Sequence, residues 1–304
     1  MAVSGTWRVV LAAFLANIGV AAAKFTGYAF TGAASLLAEA VHSVADSGNQ
    51  LLLVFGSLRA RREASDEHPF GYARERYFWA FIVAVVLFTL GSLYAIIQGW
   101  EQLQHPEPLK SPAWAFGILI FAMVVEGSAL RTAVVEARKF RGEESWLQFI
   151  RRSKSPELPV MLLEDFGALM GLVLALVCVG LAELTGDPRW DGVGSLSIGA
   201  LLGTIAIVMG SEMKSLLIGE SAARSEEQAI HATVESHPRV RRVIHLRTQH
   251  LGPDELLVGA KVEFDAALTV RELGRAIDEI EAELRERTPA HVIYIEPDTL
   301  HASD

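Results

Sequence analysis

The chain has 304 residues, of which 51% are hydrophobic and only 21% charged, with a net charge of -9 at neutral pH and a mean hydropathy of +0.31. Soluble domains sit near about 45–50% apolar and 25% charged, so an ordinary cytosolic domain is excluded and the apolar excess belongs in long runs. The charge is uneven: residues 1–219 hold 17 Lys+Arg and 19 Asp+Glu, whereas residues 220–304 hold 10 and 17. That acidic tail argues against a phosphate-backbone partner, so no nucleic acid is expected. A single cysteine, Cys178, lies inside an apolar run. It excludes an intramolecular disulfide and a Cys-based zinc finger.

A hydrocarbon core of about 30 Å takes roughly 20 helical residues. Six windows supply them, near residues 7–29, 33–58, 77–102, 112–137, 159–184 and 193–216. The first runs too long and lacks the small-residue cleavage site of a removable signal, so it reads as a retained span. The loops after the second and fourth windows hold Arg59, Arg61, Arg62, Arg74 and Arg76, then Arg138, Lys139, Arg141, Arg151, Arg152 and Lys154. On the other side stand only Lys110 and Arg189. The positive-inside rule therefore puts both termini in the cytoplasm.

From Glu220 the pattern changes. An amphipathic stretch (225–237), opening on a loose Ser225/Gln228 capping box, is followed by apolar–polar alternation in 240–248 and a Leu-Gly-Pro-Asp turn at 251–254. A second strand (256–264), a helix (about 269–287) and a last strand (292–295) complete it. Helix, hairpin, helix, strand predicts a small α+β domain at 220–304, behind an all-α six-span transmembrane domain at 1–219.

The second window carries polar residues that a bilayer resists: Ser35, Glu39, His42, Asp46, Asn49 and Gln50. A charged group at mid-membrane costs about 2.5 to 3.5 kcal/mol, so its retention points to function. His42 and Asp46 are four apart, which puts them about 40° apart around a helix and one turn along it, addressing one point in space. A neutral imidazole beside a carboxylate suits zinc or a similar divalent ion. The fifth window places Glu157, Met161, Glu164 and Asp165 on one helical face, with small Gly167 and Ala168 below for close helix approach. Adjacent Glu164 and Asp165 point different ways, and spacing leaves open which of them coordinates.

Among the other polar residues in the spans, Asn17 is expected in an interhelical hydrogen bond and Lys24 to snorkel near the end of its span. Glu126 is expected to pair with Arg131 or Gln98. Glu39, a turn before His42, is a candidate supporting group or proton carrier. Glu39-x-x-His42 matches one element of a di-iron carboxylate bundle, but no second copy occurs in another span. His-Glu-x-x-His is absent as well, so an enzyme is not expected.

The set of motifs is specific. It runs through Thr31-Gly-Ala-Ala-Ser-Leu-Leu-Ala-Glu-Ala-Val-His42, Asp66-Glu-His68-Pro-Phe-Gly71-Tyr, Leu-Leu-Glu164-Asp165, Leu217-Ile-Gly-Glu220 and Leu246-Arg-Thr. With six spans and an α+β tail, the chain resembles the cation diffusion facilitator family of divalent metal/proton antiporters, in the branch of the animal mitochondrial zinc transporters. No transit peptide precedes the first span, so a bacterial cytoplasmic membrane is the expected setting.

The resemblance implies a V- or Y-shaped homodimer joined through a ferredoxin-like tail, and a transport site between the second and fifth spans. His42 and Asp46 stand where the family has its first pair. The family's second His-x-x-x-Asp pair falls on Glu157 and Met161, so Glu164 and Asp165, a turn deeper, are expected to substitute. A further metal site is suggested at His68 with Asp66, with Tyr72 where another His is common. The tail's metal positions fall on Lys261, Tyr294 and Glu296, of which only Glu296 is a donor, and His245, His250 and His301 are assigned solvated surface roles. The implied activity is export of zinc in exchange for protons by alternating access, with zinc as cargo and no prosthetic cofactor. The expected partners are a divalent ion, protons and membrane lipid. An oxygen-rich site admits manganese, iron(II) or cobalt as alternatives. Glu157 and Met161 motivate a further alternative, a non-transporting metal-dependent scaffold or regulator.

Overall fold

The computed structural model describes residues 3–298. It divides into two units, Met1–Leu58 with Phe78–Met213, and Arg59–Tyr77 with Lys214–Asp304.

Among the described residues, six long helices run through the first three quarters of the chain. They begin with α1 (Val3–Thr31) and α2 (Ala34–Arg59), separated by a tight corner at Gly32, whose φ of 71° is a left-handed conformation open to glycine. A third runs Glu75–Gln104 as α3 (Glu75–Val86), a π-helical turn at Leu87–Leu93, and α4 (Tyr94–Gln104). Then come α5 (Pro112–Arg141), a short α6 (Trp146–Arg152), α7 (Glu157–Thr185) and α8 (Arg189–Ile218). Glu75–Gln104, α5, α7 and α8 are long and apolar enough to cross a membrane. At about 1.5 Å per residue each exceeds a 30 Å hydrocarbon core.

The sequence pattern gives no element between the fourth and fifth windows (138–158), where the structure has the short α6. Its start is a capping box: the Ser145 hydroxyl accepts the Gln148 N–H (3.3 Å) and the Gln148 side chain accepts the Ser145 N–H (3.1 Å). Phe149 anchors it in a cluster with Ala133, Ala137 and Leu162.

Lipid tails are as apolar as leucine, so small residues that let backbones meet decide where helices join. Gly99 of α4 faces Gly192 of α8 so closely that a Cβ added to it would stand 2.7 Å from the Gly192 carbonyl oxygen. About two turns away, the Ser92 hydroxyl donates to the Gly199 carbonyl at 2.7 Å.

The second unit contains α9 (Arg224–Glu235), β1 (Val240–Gly252), β2 (Glu255–Phe264), α10 (Val270–Arg287) and β3 (Ala290–Asp298). The sheet order is β1-β2-β3. β1 and β2 form an antiparallel hairpin that closes with Gly252 opposite Glu255, while β3 runs parallel to β2 after the crossover through α10. On β2 every second residue is buried. Leu256, Val258, Val262 and Phe264 thus form one face of a core completed by Ile230, Val234, Ile280, Leu284 and Ile293.

The α+β architecture follows the sequence pattern, with one correction at its first helix. The cap is Ala223 rather than Ser225: the Glu226 carboxylate accepts the Ala223 N–H at 3.0 Å. Thr269 and Glu272 form the capping box of α10.

Candidate functional site

The N-terminus of α2 is set from a distance. Asp191, in the first turn of α8, accepts the Ala34 N–H at 2.5 Å, the Ser35 N–H at 3.3 Å and the Ser35 hydroxyl. It thereby satisfies amide donors that a helix start leaves open. Asp191 lay among the charged residues of the sequence without a role; an acid at the entry of one span can cap another, and that was the available signal.

Down α2 the polar residues share a face. His42 Nε2 lies 3.4 Å from Asp46 Oδ2, with the imidazole fully buried and the carboxylate 13% exposed. Among the described residues neither His42 nitrogen has a hydrogen-bond partner, nor does Asp46 Oδ1. Both nitrogens and that oxygen therefore lack a hydrogen bond, an unusual state for buried polar atoms, although Nε2 keeps its ion-pair contact with Asp46. The third span approaches here, since a Cβ on Gly91, inside the π-helical turn, would stand 3.6 Å from His42 Nδ1.

Across from α2, Glu164 of α7 is buried and its Oε1 accepts the Asn49 side-chain N–H at 2.6 Å. Asn49 sits seven residues after His42 and three after Asp46, on their face of the helix. The sequence pattern places Asn49 among the polar residues of the second span without giving it a role, although that spacing marked it. Asp165 is half-buried beside Glu164. Met161 is 40% exposed while Glu164 is 5% exposed, so the expectation that 157, 161, 164 and 165 share one inward face is corrected: Met161 turns outward. Among the described residues no three His, Cys, Asp or Glu side chains gather closely enough to hold a metal ion. The arrangement is a His42–Asp46 pair on α2 and a Glu164 carboxylate on α7 held by Asn49.

A second polar group lies beside the first. Lys24 of α1 is 0% exposed. Its Nζ donates to Glu39 Oε2 (3.0 Å) and Ser43 Oγ (2.7 Å) and stands 3.5 Å from Glu126 Oε1. Two expectations are corrected here. Lys24 does not snorkel, because two acids and a hydroxyl reach it inside the bundle, and Glu126 pairs with Lys24 rather than with Arg131 or Gln98. Asn17 is partly buried.

In the other unit, Asp66 and His68 lie exposed on the loop before α3. The His68 ring packs on Tyr72 with centroids 4.6 Å apart, and the Ser65 hydroxyl is 3.0 Å from the Tyr72 hydroxyl. Lys261 bridges Asp298 and Glu296, both at 3.3 Å, and those two carboxylates hold its ammonium above the usual lysine range. Tyr294 is exposed. His245 is exposed, but His250 is buried with Nδ1 3.3 Å from the Gly252 carbonyl, which corrects its surface assignment. His301 lies outside the described residues.

Long apolar helices that bury a histidine, four carboxylates, a lysine and an asparagine define a multi-pass membrane protein with a polar site inside its bundle. The particular family follows from comparison. Residues 10–218 match the cation efflux transmembrane domain and residues 223–298 match the cytoplasmic domain of cation efflux proteins. The chain belongs to this cation efflux family, the cation diffusion facilitators that its motifs resemble. It is 34% identical over 273 residues to a mitochondrial proton-coupled zinc antiporter of Xenopus laevis, covering 89% of this chain and 49% of that protein. To the human counterpart it is 33% identical over 269 residues, 88% of this chain and 47% of that protein. It is 27% identical over 299 residues to the cation-efflux pump FieF of Serratia proteamaculans, 96% of this chain and 93% of that protein. The chain therefore spans about half the length of the mitochondrial relatives it matches.

Proposed function

We propose that this protein exports zinc, or a similar divalent ion, in exchange for protons, by alternating access around a site formed by His42 and Asp46 of α2 with Glu164 and Asp165 of α7. The observation that carries the reading is the buried His42–Asp46 pair, whose ring nitrogens and Oδ1 have no hydrogen-bond partner among the described residues. Those atoms have the chemistry to donate to a divalent ion. The names of the relatives, proton-coupled zinc antiporter and cation-efflux pump, support the chemistry.

Metal binding requires deprotonated ligands, so loading the site releases protons, and reprotonation from the far side expels the ion. Asn49 holds Glu164 one helix away from the pair, and moving α7 against α2 brings that carboxylate on or takes it off. Six crossings, cytoplasmic termini and a bacterial cytoplasmic membrane complete the reading, on the strength of the basic loops. The tail belongs to a domain type that supports a homodimer joined there. Manganese, iron(II) or cobalt is the second reading of the cargo, because the site holds more carboxylate oxygen than nitrogen.

The test is metal flux into proteoliposomes under an imposed pH gradient. Flux of zinc is expected in the wild type and lost in the His42→Ala/Asp46→Ala double variant. Undiminished flux in that variant overturns the site, and no pH-driven flux of any of the four metals overturns the transport reading.

A further inference from the structure

The bundle holds a cation already. Lys24 Nζ is surrounded by Glu39 Oε2 at 3.0 Å, Ser43 Oγ at 2.7 Å and Glu126 Oε1 at 3.5 Å, drawn from α2 and α5, and all three residues are buried with it. Two carboxylates face one ammonium, and Glu39 Oε1 has no hydrogen-bond partner among the described residues. A buried carboxylate oxygen without a partner is costly. The oxygen is not free to swing away, because the bare backbone of α7 at Gly171 packs directly on it: a Cβ there would fall on Glu39 Oε1.

We propose that Lys24 is a resident cation, its ammonium filling an oxygen site made by Glu39, Ser43 and Glu126 and thereby keeping a second divalent ion out of the bundle. The inference borrows from the transport reading only the assignment of the mobile ion to the His42–Asp46 pair. Ser43 follows His42 directly in the sequence, so the two sites are neighbours on α2.

The donor chemistry is that of hard divalent cations: carboxylate and hydroxyl oxygens, with no imidazole. Such ions hold oxygen at about 2.0–2.6 Å, so the three side chains need close in by only roughly an ångström once the ammonium is gone. A tethered lysine neutralises the acids without competing for cargo, since it cannot leave. Without it, a bundle carrying Glu39, Asp46, Glu126, Glu164 and Asp165 has carboxylates enough for more than one ion. Lys24 is in this sense a specificity-determining residue, setting how many ions the protein holds.

The test is equilibrium dialysis of the purified full-length protein against manganese(II), followed by metal analysis. Lys24→Met is expected to hold one more ion per chain than the wild type, and to do so equally in a His42→Ala/Asp46→Ala background. Adding Glu39→Gln is expected to abolish the extra ion. Lys24→Gln, which keeps a neutral donor toward Glu39, is measured alongside so that poor folding of the methionine variant leaves the comparison intact, and it is expected to gain the ion too. Equal metal content in the wild type and the folded Lys24 variants overturns the inference, as does an extra ion that survives Glu39→Gln. A wild type that binds no metal while the Lys24 variants bind one upholds the inference and removes the transport reading instead.

Discussion

Replacing Asp191 with alanine strips the start of α2, the helix that carries His42 and Asp46, of a carboxylate acceptor supplied by α8. The carboxylate takes two backbone N–H groups and the Ser35 hydroxyl, and Asp191 and Ser35 are both 0% exposed. Loss of a helix N-cap costs about 0.5–2 kcal/mol, and each buried donor left unsatisfied about 1–3 kcal/mol. A negative charge at a helix N-terminus adds up to about 2 kcal/mol in a partly buried setting. These contributions overlap, and removing the acid also removes the cost of burying it, so about 3 kcal/mol is the expected net loss. At about 2–4 °C per kcal/mol for a domain of this size, thermal unfolding of the detergent-purified protein, followed by tryptophan fluorescence, should fall by roughly 6–12 °C. Asp191→Asn keeps one acceptor oxygen and should fall about half as far. Ser35→Ala should add little to Asp191→Ala, because its partner is already gone. An Asp191→Ala variant that melts within about 2 °C of the wild type refutes the capping role.

Two further outcomes are expected. Asn49→Ala removes the donor that orients Glu164, and loss of such supporting groups lowers metal affinity about 10–100-fold; isothermal titration with zinc that finds wild-type affinity contradicts this. In the tail, Asp265 lies below the ordinary carboxylate range chiefly because the Ala267 N–H donates to it, and Glu272 chiefly because the Thr269 N–H does. A carboxylate depressed in the folded state adds stability above its unfolded pKa and loses it as pH falls through the folded value. Hydrogen exchange across Val270–Arg287 in the full-length protein should therefore lose protection below about pH 4, with a shallower loss in Glu272→Gln. An identical pH profile in that variant argues against the linkage.

Legibility differed between the two halves of the problem. The tail was readable because each element states its own period and caps: alternating burial on β2 and the Thr269/Glu272 box are written within a few residues of the chain. His42 and Asp46 were readable for the same reason, since an i, i+4 pair is a local fact. What escaped was partnership across the bundle. Lys24 looked free to snorkel because nothing near it in sequence is acidic, and its acids arrive 15 and 102 residues later, from α2 and α5. Asp191 reaches Ser35 over 156 residues. The periodicity of a single span says which face is polar but not which other polar face it meets. Met161 illustrates the converse: an angle of about 60° from Glu164 was enough to carry it out of the bundle.

The π-helical turn at Leu87–Leu93 bears on how the third span behaves in lipid. A wide turn disturbs the i to i+4 ladder, and hydrocarbon offers no water to repair it. Here Thr89, exposed toward the outside of the bundle, donates its hydroxyl back to the Val85 carbonyl at 2.9 Å and lies 3.3 Å from that of Val86. The span thus carries its own solvent. A hydroxyl bonded back to the helix gives a carbonyl a partner that hydrocarbon cannot supply. The same turn is where Gly91 meets the His42 imidazole. The widened turn of the third span and the buried His42 ring of the second are therefore neighbours inside the bundle.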